Sequence, residues 1–204
     1  MFRTTTTVRP MLAAAVIVAG FATAGKAATY NLQPTPADLY DLNHYKYYVW
    51  VPDWQTPADE NIVGASLFFD NIRNWDNNQN VLYVHLIDLS RQVSPGVYQG
   101  RDNQGGGDAF AGMGDKLFEW HNLPSTPQDL TYNFTADERA ALESFAADGN
   151  FALAFDPDCH FYNDGVTLTI QTQPGGTAIP LPASAPMGLV LLAGLAIARR
   201  FRRV

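Results

Sequence analysis

Three segments of this sequence concentrate the oxygen-bearing side chains that bind hard metal ions. They are DNIRNWDNNQN at residues 70–80, RDNQGGGDAFAGMGD at residues 101–115, and DPDCHFYNDG at residues 156–165. Calcium takes six to eight oxygen ligands from carboxylates, amides and backbone carbonyls. Asp and Asn also form turns through local hydrogen bonds. Each segment is therefore compatible with a calcium site or with a turn.

The third segment gives the most specific metal hypothesis. Asp156 and Asp158 are two residues apart, so their side chains lie on the same side of an extended chain. Two more oxygen-bearing side chains follow within the segment, which completes the predicted calcium site: Asp156, Asp158, Asn163 and Asp164. The segment is not an EF-hand loop, because Phe161 occupies the sixth position, where that loop needs glycine.

No catalytic motif accompanies these segments. The sequence has no HExxH, GxSxG, CxxC or phosphate-loop pattern. A carboxylate pair for glycoside hydrolysis is available among the 20 acidic residues, but no spacing selects one. We therefore expect a non-catalytic protein, with an extracellular hydrolase as the weaker alternative.

The aromatic residues indicate a second kind of binding. Tryptophan and tyrosine side chains stack on sugar rings, although most of the four tryptophans and nine tyrosines are expected to pack in the core. Trp75 is the exception, because it lies in the polar stretch NIRNWDNNQN and is predicted to be exposed. It is the candidate glycan contact in an alternative hypothesis, a calcium-assisted, lectin-like carbohydrate-binding module. Cys159 and His85 are both predicted to be buried packing residues.

The elements between these segments have the pattern of β-strands. Aromatic, β-branched and other apolar residues dominate seven stretches, at residues 45–51, 62–72, 81–89, 116–123, 129–134, 151–155 and 166–173. One helix is predicted at residues 136–147, because Thr135 and Glu138 form a capping-box pattern and Gly149 supplies a stop. This pattern predicts a mainly β fold, a jelly-roll-like β-sandwich with one short helix.

Charge is distributed unevenly along the chain. Seven of the 13 basic residues lie in the first 27 or the last six positions, whereas all 20 acidic residues lie between residues 38 and 164. The middle therefore keeps six basic residues and a formal charge of −14. Such a surface repels phosphate backbones, so nucleic acid is not an expected partner.

The first 27 residues have the order of a secretory signal peptide. Arg3 and Arg9 precede an apolar segment at residues 11–22, and small residues follow it. This segment is shorter than the roughly 20 residues that a membrane-spanning helix needs. We therefore expect export followed by cleavage.

The C-terminal residues combine three features. A proline motif comes first: Ile179, Pro180, Leu181, Pro182 and Ala183. An apolar run at residues 187–198 follows. As a helix this run is roughly 18 Å long, against about 30 Å of membrane hydrocarbon. A basic cluster ends the chain: Arg199, Arg200, Arg202 and Arg203.

This order of features resembles the PEP-CTERM class of bacterial sorting signals, and it is closest to the variant with a Val-Pro-Leu-Pro-Ala core. Ile179 replaces the usual Val, and Leu181 stands where the parent class has Glu. The resemblance implies a Gram-negative bacterium and recognition by an exosortase, a membrane protease-transpeptidase that cuts near the proline motif. It also implies a cell-surface or extracellular destination in a setting of exopolysaccharide production. The stretch GNFALAFDPDCHFYNDGV is similar to segments of other proteins with this type of tail.

Together these features predict four parts. Residues 1–27 form a signal peptide and residues 28–173 form the β-sandwich domain. Residues 174–182 form the linker with the sorting motif, and residues 183–204 form a hydrophobic helix with an arginine-rich end. The expected partners are the exosortase, the inner membrane before processing, and extracellular polysaccharide.

Overall fold

The computed structural model describes residues 27–102 and 106–175, and within them the chain is mainly β. The strands are β1 (Ala28–Leu32), β2 (Lys46–Val51), β3 (Glu60–Asn74), β4 (Val81–Asp88), β5 (Gly96–Arg101), β6 (Asp115–His121), β7 (Gln128–Asn133), β8 (Phe151–Pro157), β9 (Phe161–Tyr162) and β10 (Gly165–Pro174). The helix α1 (Ala136–Phe145) lies between β7 and β8.

The strands form two antiparallel sheets. The first sheet has the order β1-β10-β3-β7, with β9 paired to β3. The second sheet has the order β5-β2-β8-β4-β6. Because β5 and β8 both run antiparallel to β2, they point in the same direction. Their last residues therefore lie at the same end of the second sheet, next to the start of β2.

The core consists of apolar side chains from both sheets. The ring of Phe69 in β3 meets Trp120 in β6 at 5.2 Å and Phe155 in β8 at 6.0 Å between centroids. Both phenylalanines are fully buried. Each such burial stabilises the fold by about 1.5–3 kcal/mol. These contacts connect the two sheets through the core.

One strand is buried on both of its faces. Phe151, Leu153 and Phe155 of β8 belong to the core cluster, so the alternate residues Ala152, Ala154 and Asp156 lie on the other face, and they too are buried. Phe110, from the segment that joins β5 to β6, covers that outer face and contacts the rings of Tyr47 and His85. This cover explains the continuous apolar run FALAF in the sequence.

The helix begins as the sequence predicts. The Thr135 side chain accepts a hydrogen bond from the Glu138 amide, and the Glu138 side chain accepts one from the Thr135 amide, so the capping box is formed. The helix ends at Phe145, slightly before the predicted end. Gly149 follows with a φ of +76°, the left-handed conformation in which a glycine after a helix is favoured.

All seven predicted strands are present, with ends that differ by a few residues. The sequence pattern missed β1, β5 and β9. Within the described part of the chain, no helix is both long enough and apolar enough to cross a membrane. The predicted signal peptide and the predicted sorting tail stay predictions from the sequence, since residues 1–26 and 176–204 lie outside the described residues.

Candidate metal centre

Three aspartates from two segments converge at one end of the second sheet. Asp102 directly follows β5, Asp156 lies in β8, and Asp158 directly follows β8. One carboxylate oxygen from each residue lies within 4.8 Å of the other two. The shared direction of β5 and β8 causes this convergence, because it brings the last residues of both strands to the same end of the second sheet. We call Asp102, Asp156 and Asp158 the acidic cluster.

The segment at residues 106–114 lies over the acidic cluster and donates backbone hydrogen bonds to it. The Ala109 amide donates to Oδ2 of Asp156 at 2.6 Å, and the Gly107 amide donates to Oδ2 of Asp158 at 3.3 Å. Asp108, between these two residues, contacts Nε2 of the buried His85 at 3.0 Å. The segment is therefore tied both to the cluster and to the sheet beneath it.

The second oxygen of two of these carboxylates lacks a hydrogen-bond partner. These atoms are Oδ1 of Asp156 and Oδ1 of Asp158, and both are buried. Asp156 itself is 0% exposed. A buried, unsatisfied acceptor costs about 1–3 kcal/mol, and more when it is charged. Such a group in a folded protein indicates an ion or water that completes its coordination.

The electrostatics of the cluster are those of crowded, desolvated acids. Burial raises the pKa of Asp156 to about 7, and the charges of Asp102 and Asp158 add to this rise although the Ala109 amide opposes it. Burial likewise raises the pKa of Asp158, against the hydrogen bond from Gly107. A bound cation would favour the ionised carboxylates and offset these costs.

The chemistry of the donor set fits calcium. The cluster offers carboxylate oxygens alone, which are ligands of hard cations, whereas structural zinc sites use Cys and His. Ca²⁺ lies about 2.3–2.6 Å from its oxygen ligands, so oxygens on opposite sides of one ion are separated by about 4.6–5.2 Å. The oxygen spacing of up to 4.8 Å in the cluster therefore matches one shared ion.

The structure divides the four predicted ligands between two places. Asp156 and Asp158 lie together in the acidic cluster. The Asn163 amide instead donates to the Asp38 carbonyl at 2.9 Å, and the Asp164 carboxylate accepts from the Asn71 side chain at 2.8 Å. Asp164 is exposed and lies on the side of the first sheet, where its backbone amide also bonds to the Asp70 carbonyl of β3.

Asp102 is the member of the acidic cluster that the sequence pattern did not connect to the other two. It belongs to the second oxygen-rich segment, which the sequence presents as separate from the third. Joining the two requires the pairing of β5 with β2 and of β2 with β8. The stretch GVYQGR of β5 has two glycines and a weak strand pattern, so this pairing could not be predicted.

The first oxygen-rich segment begins with the last residues of β3, and the residues after Asn74 form a turn. Oδ1 of Asp76 accepts from the Asn78 amide at 2.9 Å, and Oδ1 of Asn80 accepts from the Leu123 amide at 2.8 Å. Trp75, at its start, is 54% exposed as predicted. Its indole N–H donates to Sγ of the buried Cys159 at 3.2 Å, so the ring is held in place.

No protein-family model and no curated protein matches this sequence. The sites themselves and the sequence signals at the two ends of the chain are therefore the basis for a functional proposal.

Proposed function

We propose that this is an exported, exosortase-sorted, non-catalytic cell-surface or extracellular-matrix protein whose β domain binds calcium at Asp102, Asp156 and Asp158. One observation carries the calcium part of the proposal. Three carboxylates from two strand ends converge within 4.8 Å, and the Asp156 side chain is fully buried with Oδ1 unsatisfied. The sequence resemblance of the C-terminal residues carries the part that concerns delivery.

We also propose that the domain is a β-sandwich of the jelly-roll type. Apart from β5 and β9, eight strands remain. Counted in chain order, they are arranged first-eighth-third-sixth in the first sheet and second-seventh-fourth-fifth in the second. Each strand from the first half of the series therefore pairs with its counterpart from the second half, as in a long antiparallel hairpin rolled into two sheets.

The bound ion would have a structural role. It would link the end of β5 to the end of β8 and would hold the segment at residues 106–114, which contacts both Asp156 and Asp158. Extracellular calcium modules bind with dissociation constants of about 10⁻⁴–10⁻³ M. At a calcium concentration one hundred times the Kd, the folded state gains about 2.7 kcal/mol.

Thermal unfolding of the full chain in calcium and in EDTA tests this proposal. Calcium is expected to raise the Tm of the wild-type protein, and Asp156→Asn is expected to abolish most of that rise, because the neutral amide is a weaker ligand. Asp164→Asn is the matched control, since Asp164 is an exposed aspartate outside the cluster, and it should keep the calcium response. A wild-type Tm that is equal in calcium and EDTA would contradict the proposal.

The delivery part has its own test. Deletion of residues 179–204 removes the proline motif, the apolar run and the arginine cluster, and should leave the protein in the periplasm or the medium. Fractionation of cells that express the complete and the shortened chain measures this. An unchanged location would exclude a sorting role for the tail.

Calcium-assisted carbohydrate binding is the second candidate function. The observation in its favour is that Trp75 is exposed while its indole N–H is fixed by Cys159, so the ring needs little ordering when it stacks on a sugar. If this candidate is right, EDTA and Trp75→Ala should both abolish binding to polysaccharide.

A further inference from the structure

A cleft lies at the end of the second sheet opposite the acidic cluster. β2 ends on this side, and β5 and β8 begin there. The cleft has a volume of about 450 Å³, and its walls include Tyr30, Trp54, Pro57 and Pro95 together with the carboxylates of Asp53 and Asp148. Ligand pockets typically have volumes of about 300–1,000 Å³. Because β8 spans seven residues, the cleft and the acidic cluster lie roughly 20 Å apart.

The aromatic wall of the cleft is held in place before any ligand binds. The Trp54 ring lies 5.5 Å from Tyr30 and packs edge-on against the buried Phe151 at 6.3 Å. The residues that follow Trp54 are fixed to the end of α1. The Gln55 side chain donates to the Ala147 carbonyl at 2.8 Å, and the Thr56 amide donates to the Ala146 carbonyl at 3.1 Å. Little conformational entropy would therefore be lost at this wall on binding.

The polar groups of the cleft define the charge and hydrogen-bonding character of its ligand. Asp53 and Asp148 are exposed carboxylates, which accept hydrogen bonds and repel anions. No lining residue in the described part of the chain is basic. The complementary ligand is therefore not an anion; it is rich in hydrogen-bond donors and has an apolar face that can stack on the indole and proline surfaces.

We propose that this cleft binds a neutral carbohydrate. Sugar hydroxyls supply donors for Asp53 and Asp148, and the C–H face of a pyranose ring packs on aromatic side chains such as Trp54. A proline-rich peptide fits the aromatic wall but not the carboxylates, because proline has no N–H to donate. The proposal does not depend on the calcium site, which lies at the other end of the sheet.

Affinity electrophoresis of the full chain tests the proposal. The gels contain dextran, galactomannan or hydroxyethylcellulose as neutral polysaccharides, or polygalacturonate as an anionic one. At least one neutral polysaccharide should retard the protein, polygalacturonate should not, and EDTA should leave the retardation unchanged at temperatures where the metal-free protein is folded. Trp54→Ala should weaken binding about tenfold or more, through lost stacking.

A second variant guards against misfolding of Trp54→Ala. The double change Asp53→Asn and Asp148→Asn affects exposed side chains, so it should keep the wild-type Tm while it weakens binding about tenfold. Failure of all three neutral polysaccharides to retard the protein would overturn the proposal. Retardation that both cleft variants retain would also overturn it. So would retardation that is lost only in Trp75→Ala or only in EDTA. A synthetic peptide with the sequence of residues 177–186, TAIPLPASAP, is the comparison ligand. If the protein bound this peptide and no polysaccharide, the cleft would be a peptide site and the proposal would be overturned.

Discussion

The two ends of the second sheet are built from the same strands, but their carboxylates have different surroundings. At the acidic cluster, Asp102 and Asp156 are buried, and the segment at residues 106–114 donates hydrogen bonds to Asp156 and Asp158. At the cleft, Asp53 and Asp148 face solvent beside a fixed aromatic wall. The carboxylates of the cleft are exposed to water, whereas the buried Oδ1 atoms of Asp156 and Asp158 lack a hydrogen-bond partner that a proton or a cation could replace.

This difference predicts how strongly each end is coupled to folding. The acidic cluster without a cation destabilises the folded state, because folding removes water from its carboxylates and brings their like charges close together. Binding at that end should therefore change the stability of the whole domain. The cleft has no comparable cost to offset, so changes there should alter ligand affinity much more than stability.

The largest effect on stability is expected from a change in the core that both ends of the sheet share. Phe155→Ala removes a fully buried ring from the middle of the core, next to Asp156 in β8. We expect a loss of about 3–5 kcal/mol in the free energy of unfolding, from lost burial and from the cavity. Chemical denaturation measures it. Thr29→Ala, an exposed change in β1, is the control and should cost less than about 0.5 kcal/mol. Equal stability of the two variants would contradict this placement of the core.

The pH dependence of stability isolates the acidic end. The pKa of Asp156 in the folded state, about 7, is above its value of about 3.9 in the unfolded chain. The folded state therefore binds this proton more tightly. The stability that protonation of Asp156 contributes is complete below about pH 4. It is lost as the pH rises to about 7 and stays lost above that.

In EDTA, the wild-type protein should thus lose on the order of 2–4 kcal/mol relative to Asp156→Asn between pH 4 and pH 7, because the asparagine does not titrate. Comparing the two proteins by denaturation at each pH cancels the groups they share. Calcium should remove most of the wild-type loss near pH 7. Parallel stability profiles for the two proteins in EDTA would contradict the raised pKa.

Much of the fold could be predicted from the sequence because its central strands have strong local patterns. β3, β4 and β10 consist largely of alternating or continuous apolar residues, and the helix has a complete capping box. The missed strands have weak patterns. β9 has only two residues, and β5 contains two glycines and lies at a sheet edge. Pairing with neighbours, which local sequence does not encode, determines these strands.

Two of the three residues of the acidic cluster could be predicted from the sequence, for a similar reason. Asp156 and Asp158 are neighbours on one extended segment, so periodicity alone places them together. Asn163 and Asp164 are close in sequence, but the chain crosses from β8 in the second sheet to β9 and β10 in the first sheet before and after them. Asp102 is distant in sequence and reaches the site only through the order of the strands.

A smaller effect is expected from the segment that covers the acidic cluster. Gly114 has a φ of +57°, and a Cβ atom there would clash with the Leu86 carbonyl oxygen. Gly114→Ala should therefore cost about 2 kcal/mol and weaken calcium binding, because the segment must shift. Gly112→Ala is the matched control, with a φ of +78° but open space around the added Cβ. It should cost about 1 kcal/mol and leave calcium binding nearly unchanged. Calorimetric titration with calcium and denaturation distinguish the two outcomes.

The smallest effect on stability is expected at the cleft. Gln55→Ala removes the exposed hydrogen bond to Ala147, which is worth about 0.5 kcal/mol. The same change frees the residue next to Trp54, so affinity for a neutral polysaccharide should fall about two- to threefold while the calcium-dependent rise in Tm stays the same. Gln99→Ala removes a comparable exposed bond, from Lys46 in the same sheet, and should alter neither quantity. If Gln55→Ala instead reduced the calcium response, the two ends of the sheet would be coupled, and the independence inferred from their different solvation would be lost.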